Sequence, residues 1–192
     1  MPPKIERADK KEVEAIVLDF LQWGYADDKR PLSQREPVIL AVGTDQFKLL
    51  ELISKRNCAI NLHDTVYIGD NERKVVERVK RRISYDGLTN TAKGELEPVV
   101  AMIIVENEQR FTKFYNEAVP ISLKLHLLNL LPGFGKKTLT DTLAERQKRP
   151  FESFDDIRSR VRTLQKPEKF ILERILLELE NPEEKYHIFT SR

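Results

Sequence analysis

Cysteine occurs once, at Cys58, which excludes an intramolecular disulfide framework and any zinc or iron–sulfur site built on several thiolates. Long apolar runs are missing too. The longest, Val99 to Val105, is far short of the ~20 residues that a helix needs to cross a bilayer. No secretory signal is visible, since Met1-Pro2-Pro3-Lys4 leads straight into charged residues, and a cytoplasmic location is the expectation. A strong charge of one sign is absent as well. The net charge of +2 over 192 residues does not by itself argue for a nucleic-acid partner. Its distribution says more: residues 118–192 hold 14 Lys/Arg against 11 Asp/Glu, a balance of +3 that leaves −1 for residues 1–117.

What is present is one concentrated turn signal. Leu123, Leu127, Leu128 and Leu131 fall at helical spacing and run into Pro132-Gly133-Phe134-Gly135-Lys136-Lys137-Thr138. Pro132 stops a helix, and the two glycines allow backbone angles closed to other residues. Phe134 is placed to fold back onto the flanking helices. A second helix then opens with free N–H groups and a positive dipole end, where Lys136 and Lys137 add charge, and such an end holds an anion. The segment resembles the helix-hairpin-helix motif, in which a hydrophobic-Gly-hydrophobic-Gly turn offers amides to a nucleic-acid phosphate. The slot four residues after the second glycine, usually small in that motif, is Leu139. The resemblance implies a phosphate site at Gly133, Phe134, Gly135, Lys136, Lys137 and Thr138. It also allows a monovalent cation on the hairpin carbonyls, with no other cofactor expected. The plain alternative is an ordinary helix corner.

Before the hairpin, short apolar stretches alternate with polar turns. Residues 1–10 read as a flexible start. Glu12 to Phe20, Pro37 to Val42 and Asp64 to Ile68 read as strands; Phe47 to Ile53 fits a strand or a short helix. Leu21 to Arg35 reads as an irregular loop in which Trp23 and Tyr25 neighbour Lys29, Arg30 and Arg35. Such a cluster can stack a base, or a tryptophan can close the end of a small core. Arg73 to Ile83 is the most basic stretch. As a strand it places Lys74, Arg78, Lys80 and Arg82 on one face, with Val75, Val79 and Ile83 on the other, and the cations form a stripe that either binds phosphate or is merely solvated. Strands this short suggest a small β-barrel, with the oligonucleotide-binding type as the leading expectation.

Thr89 is a candidate N-cap, and Pro98 is placed in the first turn of one or two helices reaching Asn116. A domain boundary is expected near Val119-Pro120, giving a β domain with trailing helices at 1–117 and a helical domain at 118–192. After the hairpin come a helix from Lys136 to Lys148, one from Asp155 to Arg162 with Ser153 as N-cap, and one from Glu168 to Leu179. The turn between the last two, around Thr163-Leu164-Gln165-Lys166, lacks glycine and reads as a degenerate second hairpin. Tyr186 and Phe189 are expected to pack back on the body. The fold class is therefore α+β: an oligonucleotide-binding-like barrel, then an all-α tandem helix-hairpin-helix domain.

Val66-Tyr67-Ile68-Gly69, the block Arg81 to Thr89 and the hairpin together make the chain similar to an archaeal family of unknown function described as RNA- or nucleotide-binding. That resemblance implies the same fold order and a nucleic-acid ligand, RNA or DNA, held largely without regard to sequence and without catalysis. Two alternatives stand beside it. Helix-hairpin-helix glycosylases carry a catalytic lysine where Lys137 lies and an aspartate further on, where Asp155 and Asp156 follow. Against this, such acids at a helix N-terminus are favourable for the dipole alone, and the C-terminal part is short for a base-flipping pocket. Paired hairpins also serve as protein docking modules.

Overall fold

The computed structural model describes residues 9–191; most of the expected flexible start lies outside them. Five strands form an antiparallel sheet: β1 (Glu14–Leu21), β2 (Val38–Gly43), β3 (Leu49–Ser54), β4 (Thr65–Tyr67) and β5 (Val76–Arg82). Their order is β4-β1-β2-β3-β5. The sheet is curled into a half-barrel whose edges, β4 and β5, do not pair with each other. The expected barrel is thus left open.

The central strands are apolar at almost every position because both faces of the sheet are covered. Ile16, Leu18, Leu40, Val42, Leu49 and Ile53 point toward the helices. Ala15, Val17, Ile39, Ala41, Leu50, Leu52, Val66 and Val76 form a smaller core inside the curl. A bulge in β1 between Val17 and Asp19 turns Asp19 toward Thr89, whose hydroxyl donates to Asp19 Oδ2 at 2.6 Å and accepts from Ala92 N at 3.1 Å. The same threonine therefore caps α1 (Asn90–Glu106) and ties it to the sheet. Ala92, Leu96, Val99, Val100, Ile103 and Ile104 of that helix are buried, the i, i+3, i+4 stripe expected for a covering helix. Pro98 lies in its middle and not in a first turn, so the helix capped by Thr89 runs straight through it.

α2 (Glu108–Glu117) follows at once, and two short strands, β6 (Pro120–Ser122) and β7 (Leu125–His126), form a hairpin. Then come α3 (Lys136–Lys148), α4 (Phe154–Arg160) with the expected Ser153 cap, and α5 (Pro167–Glu180). The main apolar core runs without a break from Ile16 to Phe189, across the boundary expected at 117/118. α1 faces β1 on one side and α5 on the other. Tyr115 of α2 is fully buried and its hydroxyl donates to Pro167 O at 2.7 Å.

The C-terminal segment is held by a buried carboxylate. Glu178 accepts from the backbone N–H groups of Ile188 (2.9 Å), Phe189 (3.1 Å) and Thr190 (2.9 Å) and from the Thr190 hydroxyl (2.9 Å). Arg174, one turn earlier, donates to Glu178 at 2.8 Å and to the carbonyls of Leu130 and Tyr186. Phe189 then packs against Phe111 and Phe114, and Arg82 of β5 donates to Ser191 O. Glu178→Gln keeps the shape but sets an NH2 against a nest of donors and leaves the buried Arg174 with only the more exposed Glu184, at 3.2 Å, as counter-charge. It should cost about 3 kcal/mol in urea unfolding at neutral pH and speed amide exchange at Ile188 to Thr190.

Candidate nucleic-acid interface

The hairpin is anchored from below by a ring. Phe134 is 5% exposed and lies between Tyr115 (6.4 Å) and Phe170 (5.6 Å). Its N–H donates to Leu131 O at 3.0 Å, which closes the turn, and Gly133 at φ +75° takes the left-handed position. Gly135, by contrast, has φ −76° as the N-cap of α3, and a Cβ there would meet no atom within 4 Å. The expectation that both glycines need special angles is corrected: only Gly133 does. The first intrahelical bond is Leu139 N to Gly135 O at 3.0 Å, so the N–H groups of Lys136, Lys137 and Thr138 precede the helix ladder. Gly133, Gly135, Lys136 and Lys137 are exposed, and Thr138 is half-buried. Neither lysine has a carboxylate partner among the described residues.

The element before the turn also differs from the expected long helix. β6 and β7 occupy its place, Leu123 stands fully exposed, and only a single 3-10 turn, Leu127–Leu130, precedes Pro132. His126 Nδ1 accepts Leu128 N at 3.1 Å while Asn129 Oδ1 accepts His126 N at 3.0 Å, a reciprocal cap that starts the turn. Burial, with the Arg146 charge behind it, holds the His126 imidazole below its usual pKa, so it caps as a neutral ring at pH 7. The turn between α4 and α5 repeats the pattern. Leu164 N donates to Val161 O at 2.9 Å, and both side chains are buried as Phe134 and Leu131 are. Each turn also leans on the other unit: Gly133 faces Phe170 of α5, and Thr163 Oγ1 donates to Asp141 of α3 at 3.1 Å.

The basic stretch does not form one stripe. A bulge in the β3–β5 pairing lies at Lys80, so Arg78 stands opposite Ile53 on the helix-facing side and Arg82 opposite Leu50 on the inner side. Three of its six cations are ion-paired in place. Glu51, fully buried, accepts Lys80 at 2.6 Å and Arg81 at 2.7 Å; Arg78 meets Glu36 at 2.8 Å; Arg82 holds the C-terminal segment. Lys74 is exposed just before β5. Glu51 is the residue that sequence reasoning passed over, although a lone acid inside Phe47 to Ile53 was a signal. Burial pushes its carboxyl up, but the two cations outweigh that and hold it below the usual 4.5.

The acids of the glycosylase alternative are engaged elsewhere. Asp155 is paired with Arg158; Asp156 accepts Arg160 at 2.9 Å, Arg149 at 2.9 Å and the Glu152 N–H at 3.2 Å. They close the start of α4.

Two expectations follow. Gly133→Ala should cost about 1 kcal/mol in thermal or urea unfolding, because it forces a Cβ into the left-handed region, while Gly135→Ala should be near neutral. Glu51→Gln should cost about 1–2 kcal/mol at pH 7, the low side of buried-pair values because Lys80 and Arg81 are partly in water. A depressed folded pKa stabilises fully above the unfolded value and loses that as pH falls through the folded one. The gap between wild type and variant should therefore be full at pH 6–7 and shrink below about pH 4.5.

Comparison with known proteins places this arrangement in a lineage. A model of the family described as protein of unknown function, DUF655, matches residues 11–191. The uncharacterised protein MJ0038 of Methanocaldococcus jannaschii is 40% identical over 190 residues, 98% of this chain and 84% of that protein. The crystal structure of Af1531 from Archaeoglobus fulgidus superposes with a TM-score of 0.88 at 46% identity, covering 94% of this chain and 100% of that one. With nearly its whole length matched, and with archaeal relatives in both comparisons, the chain belongs to the DUF655 family.

Proposed function

We infer that this protein binds the phosphate backbone of nucleic acid at the Gly133–Thr138 turn, without catalysing a reaction on it. The observation that carries the reading is the burial of Phe134, which fixes the turn from beneath while the amides of Lys136, Lys137 and Thr138 stay outside. Preformed donors at a helix N-terminus, backed by two unpaired ammonium groups, suit an anion that arrives at no reorganisation cost. The matching hydrogen bonds at Phe134 and Leu164 support descent of the α4–α5 turn from the same motif. In that copy Thr163 and Gln165 replace the glycines, and Pro167 removes one of the donors. The two units then form a tandem helix-hairpin-helix domain whose first unit keeps the ligand, beside an open oligonucleotide-binding-like sheet. Amides aimed at phosphate read backbone shape and not base identity, so weak sequence preference belongs to the proposal.

The test is binding of labelled RNA and DNA, single-stranded and duplex, across a range of salt. Lys136→Ala with Lys137→Ala should weaken binding for all sequences alike and reduce the slope of log affinity against log salt by about two contacts' worth. Affinity and slope both unchanged would remove the hairpin from the interface, and absence of salt-dependent binding would favour the docking alternative. Lys137 also separates binder from enzyme. Incubation with abasic DNA and borohydride should trap no adduct; an adduct that disappears in Lys137→Ala would establish Schiff-base chemistry and overturn the binder.

A further inference from the structure

The loop between β1 and β2 keeps the chain's single tryptophan in water. Trp23 is 61% exposed and Leu32 of the same loop 59%. An indole gains more from burial than almost any other side chain, so folding gives no reason to leave it outside. Nor is the loop loose. Gly24, at φ +69°, closes a turn onto Leu21 O at 3.0 Å, and a Cβ there would stand 3.1 Å from Glu36 O on the returning limb. Arg35 donates to Arg30 O at 2.8 Å, Arg56 donates to Ser33 O at 3.0 Å, and Arg30 forks onto Asp28 at 2.8–3.1 Å. A stapled loop thus presents an unburied ring in a fixed place.

Charge borders that loop. Tyr25, two residues on, is half-buried against the main core, and burial together with the nearby Glu51 charge pushes its phenol above the usual pKa. Glu36, at the loop's far end, meets Arg78. Lys80 and Arg81 keep 37% and 61% of their side chains exposed while sharing one buried carboxylate. Lys29 and Arg56 are exposed and have no carboxylate partner among the described residues. A protein interface of ordinary composition excludes charge from around its aromatic centre. Here an exposed ring stands on a loop whose borders carry cations, which fits a polyanion with rings of its own.

We propose that this surface binds single-stranded nucleic acid, with one base stacked on Trp23 and the adjoining phosphates along Lys29, Arg56, Lys80 and Arg81. The single strand follows from the ring. In a duplex the faces of the bases are covered by their neighbours, and an unpaired base alone offers a free π-face to an indole. RNA and DNA share that face, so both satisfy the site. It is separate from the hairpin and does not rest on the hairpin reading.

Because Trp23 is the chain's only tryptophan, its fluorescence reports the site directly. Oligouridylate and oligothymidylate of about eight nucleotides should quench its emission saturably, and a duplex of the same length should not. Anisotropy of labelled oligonucleotide should show Trp23→Ala weakening single-strand binding roughly tenfold, with Trp23→Phe recovering most of the loss. Since the ring is exposed, these variants should unfold like the wild type. Lys136→Ala with Lys137→Ala should leave the quenching in place. Single strands that fail to bind, that bind without quenching, or that bind Trp23→Ala as well as wild type would overturn the proposal. So would equal quenching by the duplex, or quenching lost in the hairpin variant. A hairpin variant that keeps duplex affinity while quenching persists would count against the hairpin alone.

Discussion

Two side chains one helical turn apart, Arg174 and Glu178 on α5, tie more of the molecule together than any other pair. Neither is more than 3% exposed, and a further charged partner of the pair is Glu184, less buried and 3.2 Å from Arg174. The carboxylate spends its remaining capacity on the N–H groups of Ile188, Phe189 and Thr190, and the guanidinium reaches Leu130 O at the foot of the hairpin. From the fastened tail, Phe189 completes the aromatic cluster on α2, and Ser191 takes Arg82 from the sheet. Beside the continuous core, the position of the hairpin relative to the half-barrel therefore leans on a buried ion pair that reaches both the hairpin and the tail.

Within that frame the two candidate surfaces are built in opposite ways. At the hairpin a buried aromatic ring fixes the backbone, and the candidate binding groups are main-chain amides, which only a proline would remove. On the β1–β2 loop the backbone is fixed by arginines donating to carbonyls, and the binding group is the aromatic ring itself. The first arrangement suits a phosphate and the second a base. Together they present the two chemistries of a nucleotide on one chain, each in a place where folding alone does not call for it.

Much of this was legible in the sequence, for identifiable reasons. The central strands are nearly pure apolar runs, and the cap residues Thr89 and Ser153 stand where helices must begin. The turn at Gly133 announced itself through proline and glycine chemistry. The failures share a cause: each depended on a pairing that residue spacing alone does not reveal. The leucine spacing from Leu123 to Leu131 fits a helix, but β6 and β7 pair and the His126–Asn129 cap starts a shorter turn. The basic stripe presumed strict alternation along β5, and a bulge against β3 broke it. Pro98 is tolerated inside α1 because the buried stripe on both sides of it holds the helix to sheet and α5. Glu51 was overlooked because its meaning lies in Lys80, Arg81 and Tyr25, none of them near it in sequence.

The open edge of the half-barrel carries a further implication for behaviour at high concentration. β5 is an outer strand with one side of its backbone unpaired, six of its seven residues are exposed, and it could template the addition of a strand from another molecule. Arg78, Lys80, Arg81 and Arg82 make that approach costly, since a second copy would bring the same cations into register beside them. The charges on this strand therefore oppose edge-to-edge pairing of two copies. Variants that bleach β5 of charge would gain a tendency of the sheets to join edge to edge.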